Sequence, residues 1–174
     1  MITIQQFWAI DDLIKAKWGK KFYNFINYCG LEPVRPMEHY GYFCSPKGSL
    51  TFAATGGDGV HFSFLDGENY GTNPIVMTVP MSDTYNTVVA EDLREFFSIG
   101  YYVGWFALEQ LVYDPEETVE YYSKPDDDMG ADEIRFLELI RSQLNIQPLP
   151  LSLQRLEELK QQYFHLIEIT DPDF

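Results

Sequence analysis

Cysteine, basic residues and long apolar runs are all scarce in this chain, and each scarcity removes a class of protein. Only two cysteines, Cys29 and Cys44, occur in 174 residues. They fall in different predicted elements and fit neither a CxxC nor a zinc-ligand spacing, so both are read as buried free thiols. Lysine and arginine number 12 against 27 aspartates and glutamates, a net charge of -15. Nucleic acid and anionic membranes repel such a chain, which leaves a basic or neutral partner. No uninterrupted apolar stretch approaches the roughly 18 residues that a membrane span needs. Met1 leads directly into a polar-punctuated helix carrying Asp11, Asp12 and Lys15, without the pattern of an export signal, so a cytoplasmic protein is expected. The three histidines, His39, His61 and His165, form no HExxH and no pair at ligand spacing, and neither a metal nor a cofactor is expected.

Apolar residues make up 45% of the chain, with 13 Phe, 12 Tyr and 3 Trp. That suffices for one domain spanning residues 1–174, able to bury roughly 70% of its unfolded surface. Thr3 and Gln6 form a capping-box pattern ahead of an apolar face made by Phe7, Ile10, Ile14, Trp18, Phe22, Phe25 and Ile26. Gly19 is the weak point of that helix, and Gly30 with Pro33 is placed to end it. The period then changes. Tyr40 to Cys44, Leu50 to Ala54, Val60 to Leu65, Ile75 to Val79 and Thr87 to Ala90 are short Val-, Ile-, Phe- and Tyr-rich runs between Gly, Pro, Asn and Asp turns. They predict an antiparallel meander of about five to six strands. Within it Val60, Phe62 and Phe64 alternate with His61 and Ser63, which assigns the apolar residues to a helix-covered face and the polar pair to a less buried one. Helices return over Glu91 to Ile99, Val103 to Tyr113, Ala131 to Leu144 (Ile134, Leu137, Ile140 and Leu144 inward) and after Pro150. Ser152 caps the last, whose stripe is Leu153, Leu156, Leu159, Tyr163 and Leu166. A helix, then strands, then helices packed on the sheet define an α+β fold.

Charge is unevenly distributed. The chain through Lys47 carries +2, whereas Asp114 to Glu133 holds nine acidic residues against Lys124 alone. Asp126, Asp127 and Asp128 lack the alternating ligands of a calcium loop and read as a solvated loop or a surface for a basic partner. Anchors for such a partner would be tyrosines beside the patch. The candidate binding residues are therefore Glu116, Glu117, Tyr121, Tyr122, Asp126, Asp127 and Asp128, with Asp66, Glu68, Tyr70 and His61 as secondary candidates. Gly56-Gly57-Asp58-Gly59 lies between two strands and carries an acid where a phosphate loop carries lysine, so it reads as a hairpin turn. An enzyme alternative is a hydrolase built on His61, Asp58 and Ser63, although no GxSxG elbow accompanies them.

The stretch Phe52-Ala53-Ala54-Thr55-Gly56-Gly57-Asp58-Gly59-Val60-His61-Phe62-Ser63-Phe64 resembles the strand, glycine turn and strand of the SUKH superfamily, the Smi/Knr-like proteins. Val88 to Gly100 is similar to that family's last strand running into a helix, with the Ile75 to Val79 strand between. The resemblance covers roughly residues 50 to 100. It implies an α+β fold with a curved antiparallel sheet, and no catalytic residue. It further implies an immunity protein that binds and neutralises a toxin, such as a basic nuclease, or else a regulatory or scaffold protein.

Overall fold

The computed structural model describes residues 1–19, 29–66 and 73–169. Helix α1 spans Ile4–Trp18 and begins in the capping box read from sequence. The Thr3 N–H donates to Gln6 Oε1 at 2.8 Å and the Gln6 N–H to Thr3 Oγ1 at 3.3 Å. Phe7, Ile10 and Ile14 are buried along one face. The helix stops at Gly19, whose φ of +60° an L side chain rarely adopts. The predicted continuation through Phe22, Phe25 and Ile26 lies outside the described residues, as do Glu68 and Tyr70.

Five antiparallel strands follow in sequence order: β1 Glu32–Glu38, β2 Leu50–Ala54, β3 His61–Phe64, β4 Ile75–Thr78 and β5 Asn86–Ala90. Four match the predicted runs. The first does not: the strand is Glu32–Glu38, and Tyr40 to Cys44 is loop. Pro33 and Pro36 are accommodated because β1 is a sheet edge, where one side of the backbone feeds no ladder and proline is tolerated.

Helix α2 (Leu93–Ile99) is capped by Asp92, whose Oδ1 accepts the Glu95 N–H at 2.9 Å. The predicted helix over Val103 to Tyr113 is instead a shorter 3-10 helix, Phe106–Val112. Gly104, at φ +78°, and Trp105, whose N–H goes to the Cys29 carbonyl at 2.7 Å, hold the backbone ahead of it out of helical geometry. Helices α3 (Pro115–Tyr122), α4 (Ala131–Leu144) and α5 (Leu153–Tyr163, with a 3-10 turn Phe164–Leu166) complete the described chain. Ile134 is a correction: it is exposed, and Phe136 takes the inward position beside Leu137, Ile140 and Leu144. Most of the predicted α5 stripe is also not buried, since Leu153 and Leu166 lie on the surface and only Leu159 is fully covered. Among the described residues no helix is long and apolar enough to cross a membrane.

The predicted register of β3 holds, and it sorts the sheet into two faces. Val60, Phe62 and Phe64 join the main core with Phe52, Phe96, Phe97 and Trp105. His61, Ser63 and Leu65 point to the opposite face. Contrary to expectation that face is closed as well, with His61 and Ser63 each at 0% exposure. Its apolar end, Leu65, Val76 and Val88, is covered by Leu159 of α5. Its polar end is tied together: Thr51 and Ser63 hydroxyls meet at 2.9 Å, Thr78 donates to Asn86, and Asn86 reaches the Cys44 carbonyl at 2.8 Å. The loop between β1 and β2 thus closes what looked in sequence like an open sheet face.

The glycine turn is strained where expected. Gly56, Asp58 and Gly59 have φ of +81°, +48° and +74°. A Cβ on Gly59 would stand 2.7 Å from Tyr42 Oη, whereas one on Gly57 meets nothing within 4 Å. Gly59→Val is expected to lose about 1–3 kcal/mol, and Gly57→Val far less, in paired urea titrations. Equal midpoints for the two variants would contradict this account of the turn.

Candidate functional site

The acidic stretch is built as helix, loop and helix, and much of its charge is used within the fold. Asp114 caps α3 by accepting the Glu117 N–H at 3.0 Å. Asp126 accepts the Tyr121 hydroxyl at 3.0 Å and the Asp128 N–H at 3.0 Å. Glu133 accepts from the Gly130 N–H at the start of α4. Glu120 pairs with Lys124, and Asp132 with Arg135, both at 3.3 Å. The Asp114 and Glu133 contacts answer a local need, because helix starts leave N–H groups without acceptors. Glu116, Glu117, Asp127 and Asp128 remain exposed and have no ion-pair partner among the described residues.

One turn of α3 separates Glu117 from Tyr121, which places both on one side of the helix. They share a cleft of about 280 Å³ with Asp114, Thr118 and the 3-10 helix residues Ala107 and Gln110. Burial and the Asp126 carboxylate push the Tyr121 hydroxyl up to about 12, so it stays protonated and donating. Tyr122 is a correction to the predicted anchors. It is 1% exposed within the main core, because neighbouring residues on a helix face different ways. Its hydroxyl has no hydrogen-bond partner among the described residues, and burial raises it well above the usual phenol range.

The residues of the hydrolase alternative are not assembled. Ser63 bonds Thr51 on the neighbouring strand. His61 Nδ1 lies 2.7 Å from the Gly59 carbonyl, which can only accept, so Nδ1 carries the proton. Nε2 then accepts from the Ser45 hydroxyl at 3.4 Å, and among the described residues no carboxylate is hydrogen-bonded to the ring. The imidazole is covered by Tyr40, tilted at a centroid distance of 5.0 Å, and by Tyr42, stacked at 5.5 Å. Asp58 instead sits on the turn, near enough to Glu109 for its charge to add to burial in raising that carboxyl.

Burial lowers the His61 imidazole below its ordinary 6.5, outweighing the Gly59 hydrogen bond. The unfolded chain therefore takes up this proton first. The stability held by neutral His61 is complete above pH 6.5 and is lost as the pH falls toward the folded value, at up to about 1.4 kcal/mol per pH unit. Wild-type chain should lose stability between pH 7 and pH 5 more steeply than His61→Gln. Parallel pH profiles in denaturant melts would show that His61 has no such role.

The sequence reading missed Tyr40 and Tyr42, because it placed them in a strand. Their signal was the aromatic–glycine alternation of His39-Tyr40-Gly41-Tyr42-Phe43, which a regular buried strand has little reason to contain. No signal in the sequence could have brought Asp58 to Glu109. Asp66 is exposed at the end of β3. Comparison with protein-family models, with curated proteins and with solved structures found no match to this chain.

Proposed function

We propose that this chain is a non-enzymatic protein-binding module of the SUKH type, an immunity protein whose partner is a basic toxin domain such as a nuclease. The observation that carries the reading is the cleft shared by Asp114, Glu117 and Tyr121, whose hydroxyl is held by Asp126, in a stretch that also bears the unpaired carboxylates of Glu116, Asp127 and Asp128. An aromatic with an oriented hydroxyl inside a negative rim suits a cationic protein surface: the charges steer the encounter, and the ring provides a contact that slows release. The helix, five-stranded meander and following helices support the same reading, since they agree with the architecture implied by the family resemblance. A cytoplasmic location fits a protein that intercepts a toxin acting inside the cell.

The test is whether a toxin gene lies beside this one, followed by binding kinetics against the domain that such a neighbour encodes. Changing Glu117, Asp127 and Asp128 together to Lys leaves the Asp126 contacts in place. It should slow association at least about tenfold at low ionic strength and much less at 0.5 M salt, where charges are screened beyond roughly 4 Å. Tyr121→Phe should chiefly speed dissociation. Tyr122→Ala should act on stability instead, because that ring is core. Wild-type association by the charge-reversed chain in low salt would show that this surface is not where a partner docks.

A further inference from the structure

A second surface, formed by the loop that follows β1, has the composition of a cation site. Glu38, His39, Tyr40, Gly41 and Tyr42 line an open cleft of about 510 Å³ at the end of β1. The Tyr40 and Tyr42 rings stand 6.3 Å apart, inclined at 50°. Behind them lies the buried His61 ring, whose burial disfavours its charged form, and His39 lines the same cleft. The rim is acidic. Glu38 and Glu32 both act on the Tyr40 hydroxyl, which burial first and these carboxylates second push upward. On the far side, Tyr42 reaches over Gly59 toward the turn bearing Asp58, itself near Glu109.

The molecule shows elsewhere what such a set of groups accommodates. Arg35 lies over the Trp8 ring at 5.2 Å while one of its nitrogens reaches both Asp12 oxygens at 2.9 Å. Arg141 lies over Tyr101 at 4.4 Å. The Tyr40–Tyr42 cleft has the rings and the carboxylate without the cation. Among the described residues no cation pairs with Glu38 or sits over either ring.

We infer that this cleft receives an arginine side chain of the basic partner, its guanidinium stacked on Tyr40 and Tyr42 and hydrogen-bonded to Glu38. This deepens the proposed function and rests on it, since the partner is the same basic protein. Guanidinium is favoured over ammonium because it is planar, weakly hydrated and forked, and so stacks on a ring while donating to a carboxylate.

The experiment uses the full chain and three probes: acetylated hexa-arginine, hexalysine and hexacitrulline, the last shaped like arginine but uncharged. Ring resonances of Tyr40 and Tyr42 are followed by NMR, and affinity by calorimetry. Hexa-arginine should shift both rings and bind more tightly than hexalysine, and hexacitrulline should do neither. Glu38→Gln and Tyr42→Ala should each weaken hexa-arginine about threefold to tenfold. Glu38 is exposed, so its variant tests the site even if Tyr42→Ala disturbs the loop. Shifts confined to the Glu117–Asp128 surface would overturn this inference and leave the proposed function standing. Absence of binding at either surface would overturn both. Equal affinity for hexa-arginine and hexalysine, or for wild type and Glu38→Gln, would overturn the guanidinium assignment.

Discussion

Trp105→Ala should be among the most damaging single substitutions in this chain, costing about 3–5 kcal/mol. The indole is fully buried. It stacks on Phe96 at a centroid distance of 5.8 Å, meets Phe97 edge-on at 5.8 Å, and donates its Nε1–H to the Phe96 carbonyl at 3.0 Å. Removal therefore opens a large cavity and takes away a hydrogen bond in the same place. A folded domain holds only about 5–15 kcal/mol in total, so the loss brings the protein close to unfolding. Gly100 supplies an independent check. A Cβ there would lie 2.2 Å from Trp105 Cε2, although the φ of -73° at Gly100 is open to any residue. Gly100→Ala alone should destabilise by forcing a rigid ring to move. In the Trp105→Ala background it should cost little or partly fill the cavity. A double-mutant cycle read by urea denaturation decides: additive losses would mean that the two residues do not meet as described.

Leu159→Ala should cost about 2–5 kcal/mol, but with a local signature. Leu159 is the one fully buried residue of α5, and it closes the apolar end of the second sheet face over Leu65, Val76 and Val88. The rest of the hold is polar. Arg155 gives its Nε to Glu95 at 2.7 Å and one Nη to both Glu91 and Glu95 at 2.9 and 3.0 Å, and the Tyr163 hydroxyl reaches Glu91 at 3.0 Å. These contacts fix direction, but they are partly exposed and screened, so they add less than the leucine. Without Leu159 the helix should come away before the rest of the molecule. Hydrogen exchange should accelerate over residues 153–163 and over Val76 and Val88 while α2 and the Trp105 region stay protected. Arg155→Met should show the same pattern with a smaller loss. Uniform acceleration across the chain would show that α5 is not a separately opening element.

The sequence was most informative where a local rule has a single outcome. The Thr3–Gln6 box, Ser152 and the alternation around Phe62 each concern neighbours in the chain, and there the structure follows the pattern. Asp126 was placed in a loop, and it lies in one. The pattern was least informative where an element's role depends on what covers it. Alternation in β3 separated His61 from Phe62 but was silent on whether His61 would meet water. Only the return of the β1–β2 loop, anchored through Asn86 to the Cys44 carbonyl, buried it. Hydrophobic spacing placed Tyr40 to Cys44 in a strand, and long-range pairing gave that role to Glu32–Glu38. Adjacent tyrosines looked equivalent in sequence, but the 100° step of α3 sent Tyr122 into the core and left Tyr121 at the surface.

By itself, then, the sequence determined the α+β order of elements, the faces of β3, the glycine turn and the excess of negative charge. All of these follow from short-range sterics, side-chain period and composition. Tertiary structure alone decided that Glu117 and Tyr121 share a cleft with the 3-10 helix, that Asp114, Asp126 and Glu133 serve caps and turns while Glu116, Glu117, Asp127 and Asp128 stay exposed, and that Glu38, Tyr40 and Tyr42 form a second surface above a neutral histidine. Those outcomes depend on which distant segments meet, and no short window of the chain contains the energies that decide it.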